Sequence, residues 1–389
     1  MTYPMPPEMA EATRLTNAGK LAEATALIQR LLRGQAAPVP ANTGFSTIID
    51  AEYAAVDAAP QLTPPSIKAR PRTGLRETLR RLAAEAKPTG FDMGVGIKPR
   101  PAPEPLPAGA TFATVSYTNA AGTREYKLYV PGKSHGTPLP LVVMLHGCTQ
   151  SPDDFAAGTR MNILAEQQGC LVAYPAQPAS VNAKKCWNWF KAEDQRRDQG
   201  EPSLIAGITR QIMRDHPVDA SRVYIAGMSA GGAAAAVMAS AYPDLYAAVG
   251  VHSGLPAGAA SDLPSAFAAM RQGSEGSAQA TRAVPTIVFH GDQDATVNPR
   301  NGDAVVASAI RSANGLRSTL QRGRAPGGLA YSRNVHAGPS GRVLCEQWTI
   351  HGAGHAWSGG SPSGSYTDQR GPDAASEMLR FFAAHRQES

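Results

Sequence analysis

Gly227-Met228-Ser229-Ala230-Gly231 sets a serine between two glycines, where the apolar run VYIAG gives way to the alanine-rich stretch AGGAAAAVMAS. A serine hydroxyl at its ordinary pKa is a poor nucleophile. G-x-S-x-G is the pattern of a sharp strand-to-helix turn that pushes such a hydroxyl toward a substrate. The glycines are needed because a strained turn brings neighbouring backbone too close for a Cβ. The new helix adds its N-terminal dipole and unpaired N–H groups, so the Ala230 amide is expected to face a developing oxyanion.

A nucleophilic serine needs a base, and the base needs an orienting group; in this pattern they follow in the order serine, acid, histidine. After TIVFHG comes Asp292-Gln293-Asp294-Ala295-Thr296-Val297, where two carboxylates compete. The HG-x-x-D-x-x-V spacing selects Asp294 and leaves Asp292 to turn the loop. Of nine histidines, His355 is the base candidate, because GAGHAWSGG puts it in a glycine-rich loop just after the last strand pattern. His351 sits at that strand's end, and His290 packs at another strand end beside the acid. The second oxyanion donor is expected in Leu145-His146-Gly147-Cys148-Thr149-Gln150, after the third strand. Gly147 permits a tight reversal there, Cys148 offers its backbone N–H, and His146 positions the loop. Aromatic residues are only 6% of the chain, yet Trp187, Trp189 and Phe190 crowd one polar stretch. They are expected to form a solvent-facing platform, with Trp357 beside the same cleft. Trp187, Trp189, Trp357 and His146 are therefore the substrate-binding candidates, and apolar walls around a small polar centre suit an acyl chain or hydrophobic ester.

These residues require a scaffold that delivers them to one edge. TFATVSYT (111–118) and REYKLYV (124–130) form a hairpin pattern around Asn119–Thr123. LVVMLHG, LVAYP, VYIAG, AAVGVHSG, TIVFHG and RVLCEQWTIHG are short apolar runs, separated by helical patterns at 160–169, 202–216, 230–241, 302–314 and 373–386. The expected fold is α/β: a mostly parallel sheet opened by an antiparallel hairpin and covered on both faces, with active residues at the carboxyl ends of strands.

At 389 residues and 42% hydrophobic, the chain can bury a full core and leave a remainder. The remainder is residues 1–105, a helical and Pro/Ala-rich appendage and linker; the catalytic domain is expected over 106–389. Residues 68–100 carry nine Lys/Arg against three Asp/Glu and so hold the whole formal +6, which argues against a nucleic-acid enzyme. Four dispersed cysteines without C-x-x-C suggest neither a disulfide scaffold nor a metal site.

In order, HGCTQ, the CWNWF block, GMSAGG, HGDQD and GAGHAWSGG resemble the catalytic domain of the poly(3-hydroxybutyrate) depolymerase family of esterases. That family includes short-chain polyhydroxyalkanoate depolymerases and some feruloyl and acetylxylan esterases, and the likeness spans about residues 108–386. It implies an α/β-hydrolase fold, a Ser229–Asp294–His355 triad, Cys148 and Ala230 amides as the oxyanion hole, a Cys148–Cys186 disulfide and no cofactor. The implied activity is serine esterase chemistry on short-chain 3-hydroxyalkanoate polyesters or oligomers. A feruloyl or acetylxylan-type carboxylesterase is the alternative, and a granule- or partner-binding protein with a vestigial hydrolase fold is an alternative of another class. The amphipathic stretches of the appendage are expected either to pack on the catalytic domain or form a homo-oligomer contact, or to dock the enzyme on polyhydroxyalkanoate granules or a partner. With no apolar span for a membrane and no basic-then-apolar leader pattern, a cytoplasmic location is expected, with an extracellular one as the alternative.

Overall fold

The computed structural model describes residues 105–132, 136–274 and 282–387. The appendage expected over 1–105 lies outside the described residues apart from Pro105.

The opening hairpin is β1 (Thr111–Asn119) against β2 (Gly122–Val130), closed where Asn119 Oδ1 accepts the Ala121 N–H at 2.8 Å. The buried runs become β3 (Leu139–Leu145), β4 (Leu171–Pro175), β5 (Val218–Met228), β6 (Ala248–His252) and β7 (Thr286–Gly291). Then follow β8 (Arg317–Arg324), β9 (Ala330–Ala337) and β10 (Val343–Ile350). The ten-stranded sheet has the order β1-β2-β4-β3-β5-β6-β7-β10-β9-β8. From β4 to β10 every pairing is parallel, and an antiparallel pair closes each side.

Helices cover both faces. α1 (Pro152–Thr159), α2 (Met161–Gln168), α3 (Gly200–Asp215), α4 (Ala230–Ala241), α5 (Leu263–Gln272), α6 (Arg300–Ile310) and α7 (Ala374–Ala383) complete the described helices of this type. Side chains of β3 show how the core divides. Leu141, Val143 and Leu145 join the cluster under α3 to α6, whereas Val142 and Met144 join the cluster under α1, α2 and α7. All five are buried, so the strand carries no polar alternation.

Four of these elements, α1, β8, β9 and α5, were not expected from the sequence. β8 and β9 lack apolar runs because β8 is exposed along nearly its whole length and β9 is only half-buried. α5 starts at a capping box in which Asp262 accepts the Ser265 N–H and the Ser265 side chain reaches back. No helix among the described residues is long and apolar enough to cross a membrane.

Candidate active site

β5 ends at Met228 and α4 begins at Ala230, so Ser229 alone makes the turn, at φ 57° and ψ −122°. A non-glycine residue in that region is strained, and neighbouring contacts hold it there. Its N–H donates to His252 O and its C=O accepts from Ala233 N, both at 2.9 Å. Glycines flank it for a steric reason. A Cβ on Gly231 would strike the carbonyl oxygens of Leu145 and His146, and one on Gly227 would strike the Gly231 carbonyl. The half-buried serine thus stands at the carboxyl end of β5, close against the loop that follows β3.

Asp294 and His355 meet at the same edge of the sheet, on the loops after β7 and β10. His355 Nδ1 donates to Asp294 Oδ2 at 2.7 Å, and the Asp294 side chain is fully buried. Asp294 Oδ1 accepts the amides of Thr296 at 2.9 Å and Val297 at 2.8 Å, while His290 Nε2 lies 3.4 Å from Oδ2. Burial alone would raise the carboxyl pKa. The hydrogen bonds from His290, His355 and Val297 outweigh it and hold Asp294 well below the ordinary carboxylate range. His290 is thus a neighbour of the acid, where its strand-end position put it. Asp292, expected to turn its own loop, reaches across to the loop after β10: it accepts the Gly352 N–H at 2.7 Å and pairs with His351 at 2.9 Å.

The loop after β3 carries Cys148, bridged to Cys186 as the resemblance implies. The amides around Cys148 are committed: Gly147 N to Gln150 Oε1 at 2.8 Å, Thr149 N to Lys184 O at 2.6 Å, and Gln150 N to Gly147 O at 3.3 Å. A Cβ on Gly147 would lie 3.5 Å from Ser229 Cβ, so this loop borders the serine directly.

The tryptophan platform is a correction. Trp187, Trp189 and Trp357 are buried, at 0%, 6% and 1% exposure, and His146 at 1%. None of the four faces solvent. Trp187 Nε1 donates to His146 O at 3.1 Å, and His146 Nε2 accepts the Gln177 N–H at 3.1 Å. Burial pushes the His146 pKa down to about 4, which keeps this brace neutral. Trp357 stacks on His252, 4.9 Å between ring centres. The polar residues around the tryptophans, which suggested a wet loop, instead satisfy a buried carboxylate. Glu201 accepts from Asn188 N at 2.8 Å, from Asn188 Nδ2 at 2.7 Å and from Gln177 Nε2 at 2.5 Å. Burial first, and then the nearby Asp194 charge, raise the Glu201 pKa to about 6.

Sequence reasoning missed three residues here. Glu201 opens a helix 13 residues from its partner Asn188, and nothing local marks the pairing. His252 spans two loops, its carbonyl holding Ser229 N and its Nε2 accepting Ser358 N–H at 3.0 Å. Its position at a strand end before Ser253-Gly254 was the available signal. Tyr366 is an aromatic that does face outward beside the loop after β3: it is 47% exposed and its hydroxyl lies 3.2 Å from Thr149 Oγ1.

A family model described as Esterase PHB depolymerase matches residues 124–326, a span that includes Cys148, Ser229 and Asp294 but stops before His355. Poly(3-hydroxyalkanoate) depolymerase C of Paucimonas lemoignei is 33% identical over 253 residues, which cover 61% of this chain and 59% of that protein. Feruloyl esterase B of Neurospora crassa is 35% identical over 152 residues, 38% of this chain and 50% of that protein. This chain therefore spans between half and three fifths of the length of these two relatives. The solved acetyl xylan esterase from Aspergillus awamori superposes with a TM-score of 0.55 at 19% identity, covering 70% of this chain and 99% of that one, which shows a shared α/β-hydrolase fold.

Proposed function

This chain belongs to the Esterase PHB depolymerase family, and on that premise we propose that it is a serine esterase acting on short-chain 3-hydroxyalkanoate polyesters, their oligomers and related short acyl esters. The observation that carries the proposal is the 2.7 Å bond from His355 to a fully buried Asp294, at the sheet edge where Ser229 ends β5. In the proposed reaction Ser229 Oγ attacks the ester carbonyl carbon as His355 Nε2 takes its proton. Asp294 holds the Nδ1 proton and steadies the imidazolium. The Cys148 and Ala230 amides meet the oxyanion. The imidazolium then protonates the departing alcohol, and water cleaves the acyl-enzyme by the same route. Tyr366, rather than the buried tryptophans, is the aromatic offered to the substrate.

A feruloyl or acetylxylan-type specificity is the second reading, favoured by the 35% identity to a protein named feruloyl esterase B. Residues 1–105 are proposed as a separate appendage that docks on a granule or on a second copy. The Cys148–Cys186 bridge supports the extracellular alternative over the cytoplasmic one, since oxidising compartments preserve such bonds. The test is a product assay of the full chain on 3-hydroxybutyrate oligomers, amorphous polymer granules, a feruloyl ester and acetylated xylan, beside Ser229→Ala, Asp294→Asn and His355→Ala. Release of 3-hydroxybutyrate units is expected, with most of it lost in each of the three variants, least in Asp294→Asn, and with losses that do not add when variants are combined. Preference for the feruloyl or acetyl ester would move the substrate to the second reading. Turnover that survives Ser229→Ala would overturn the mechanism.

A further inference from the structure

A second serine–histidine–aspartate chain lies beside the first. Ser332 Oγ is 2.8 Å from His351 Nε2, and His351 Nδ1 is 2.9 Å from Asp292 Oδ2. The two chains share the same pair of loops. Asp292 and Asp294 stand on the loop after β7, His351 and His355 on the loop after β10. The depths differ: the Asp292 side chain is 33% exposed and that of His351 43%, against 0% and 13% for the inner pair.

The outer chain is poorly placed for acyl transfer. Ser332 sits within β9, paired to Thr349 on one side and Arg322 on the other, so its backbone is committed to the sheet rather than turned toward an oxyanion. What it does make is a clasp. Asp292 Oδ1 accepts Gly352 N–H at 2.7 Å, Asp292 N donates to Ile350 O at 3.1 Å, and Gln293 N donates to Ala353 O at 3.0 Å. His351 N donates in turn to Ala330 O at 2.9 Å, at the start of β9. With Nδ1–H given to the carboxylate, Nε2 is the acceptor that Ser332 O–H fills, so one tautomer satisfies the whole chain. Two residues along one loop and four along the other, the same two segments must deliver Asp294 and His355 to each other.

We propose that Asp292, His351 and Ser332 are positioning residues that set the register between the acid loop and the base loop, and so fix the Asp294–His355 hydrogen bond. The proposal rests on the esterase reading for its kinetic consequence but not for its structural one. Loosening a reacting geometry by a fraction of an ångström costs on the order of tenfold in rate without weakening ground-state binding.

The experiment pairs kinetics with proton NMR of the full chain, ¹⁵N-labelled at histidine. The short His355 Nδ1–H···Asp294 bond should give a low-field proton resonance, assigned by its loss in Asp294→Asn. In Asp292→Ala and His351→Ala that resonance should broaden or vanish while the melting temperature stays near that of the parent. Turnover on a short ester should fall about tenfold in kcat with KM little changed, and the double variant should be no worse than the worse single one. Asp292→Asn, which keeps an acceptor for one of the two bonds, should lie between. An unchanged resonance in a folded Asp292→Ala or Asp292→Asn protein would overturn the clasp. So would kinetic losses that add in the double variant. Should the parent hydrolyse none of the esters, the esterase reading fails, while the resonance still decides the clasp.

Discussion

Breaking the Cys148–Cys186 bridge should destabilise the fold and, on the esterase reading, slow turnover at once, for separable reasons. The bond joins residues 38 apart in sequence. In the chain-entropy description, releasing such a loop returns about 13 cal/mol/K to the unfolded chain, or about 3.9 kcal/mol at 25 °C. A domain of roughly 280 residues unfolds with an entropy near 0.6 kcal/mol/K, so the melting temperature should drop by roughly 6–7 °C. The activity effect is bounded from both sides. Thr149 N still holds Lys184 O, and Trp187 Nε1 still holds His146 O, so the two loops stay docked. Removing an oxyanion donor outright costs about 10²–10³ in kcat, so displacing the Cys148 amide from its proposed oxyanion role should cost less, about tenfold, with KM nearly constant. The assay compares Cys148→Ser/Cys186→Ser with the oxidised parent by calorimetry and ester turnover. Reductant should bring the parent to the same place, because the remaining thiols, Cys170 and Cys345, are buried and bridge nothing. A double variant that melts within a degree of the oxidised parent would refute the loop-closure reasoning. Equal losses in kcat and in substrate affinity would refute the oxyanion part.

Acid should weaken the fold through histidines that are buried and neutral. Burial holds His146 at about 4 and His252 at about 3. In the unfolded chain both take up protons near pH 6.5, so stability falls as pH drops through 6.5, by about 2 kcal/mol for each at pH 5. Asp294 is depressed and works only at lower pH, whereas Glu201, raised to about 6, takes up its proton first in the folded state and offsets roughly 1 kcal/mol of the histidine loss at pH 5. Urea titrations at pH 7.5 and 5.0 test it, and a flat profile would contradict it. Tyr366→Ala should raise KM for the preferred ester severalfold and leave kcat and melting nearly unchanged, because the side chain is exposed and its hydroxyl meets only the Thr149 hydroxyl. Gly231→Ala should abolish turnover and lower the yield of folded protein, because its Cβ would meet the Leu145 and His146 carbonyl oxygens and neither can yield. Turnover near the parent's in that variant would disprove the crowding at the serine turn.

The legibility of this chain followed burial. Val142, Val143 and Met144 lie in a strand covered on both faces, so their apolar run was visible in sequence. Gly227 and Gly231 were legible for a related reason, since crowding at the turn leaves little choice of residue. RSTLQRGR carries no such mark. As β8 it forms the outer edge of the sheet, where backbone pairing with β9 alone defines the strand and side chains are free to be polar. The tryptophans failed in the opposite direction. Lys185, Asn188 and Lys191 made their neighbourhood look wet, yet Asn188 is buried to serve Glu201, and a partner on a later helix is invisible to local pattern.

Asp292 and Asp294 show where spacing stops and depth takes over. Both were singled out from one stretch, and each pairs with a histidine of one other loop. A carboxylate that steadies an imidazolium gains most where water is excluded, because the same Coulomb attraction is screened several times less there. Asp294 has that environment, with its oxygens occupied by two amides and two imidazoles, and Asp292 keeps a third of its surface in solvent. Depth therefore divides two nearly identical pairs into one suited to charge and one suited to holding the loops that carry it.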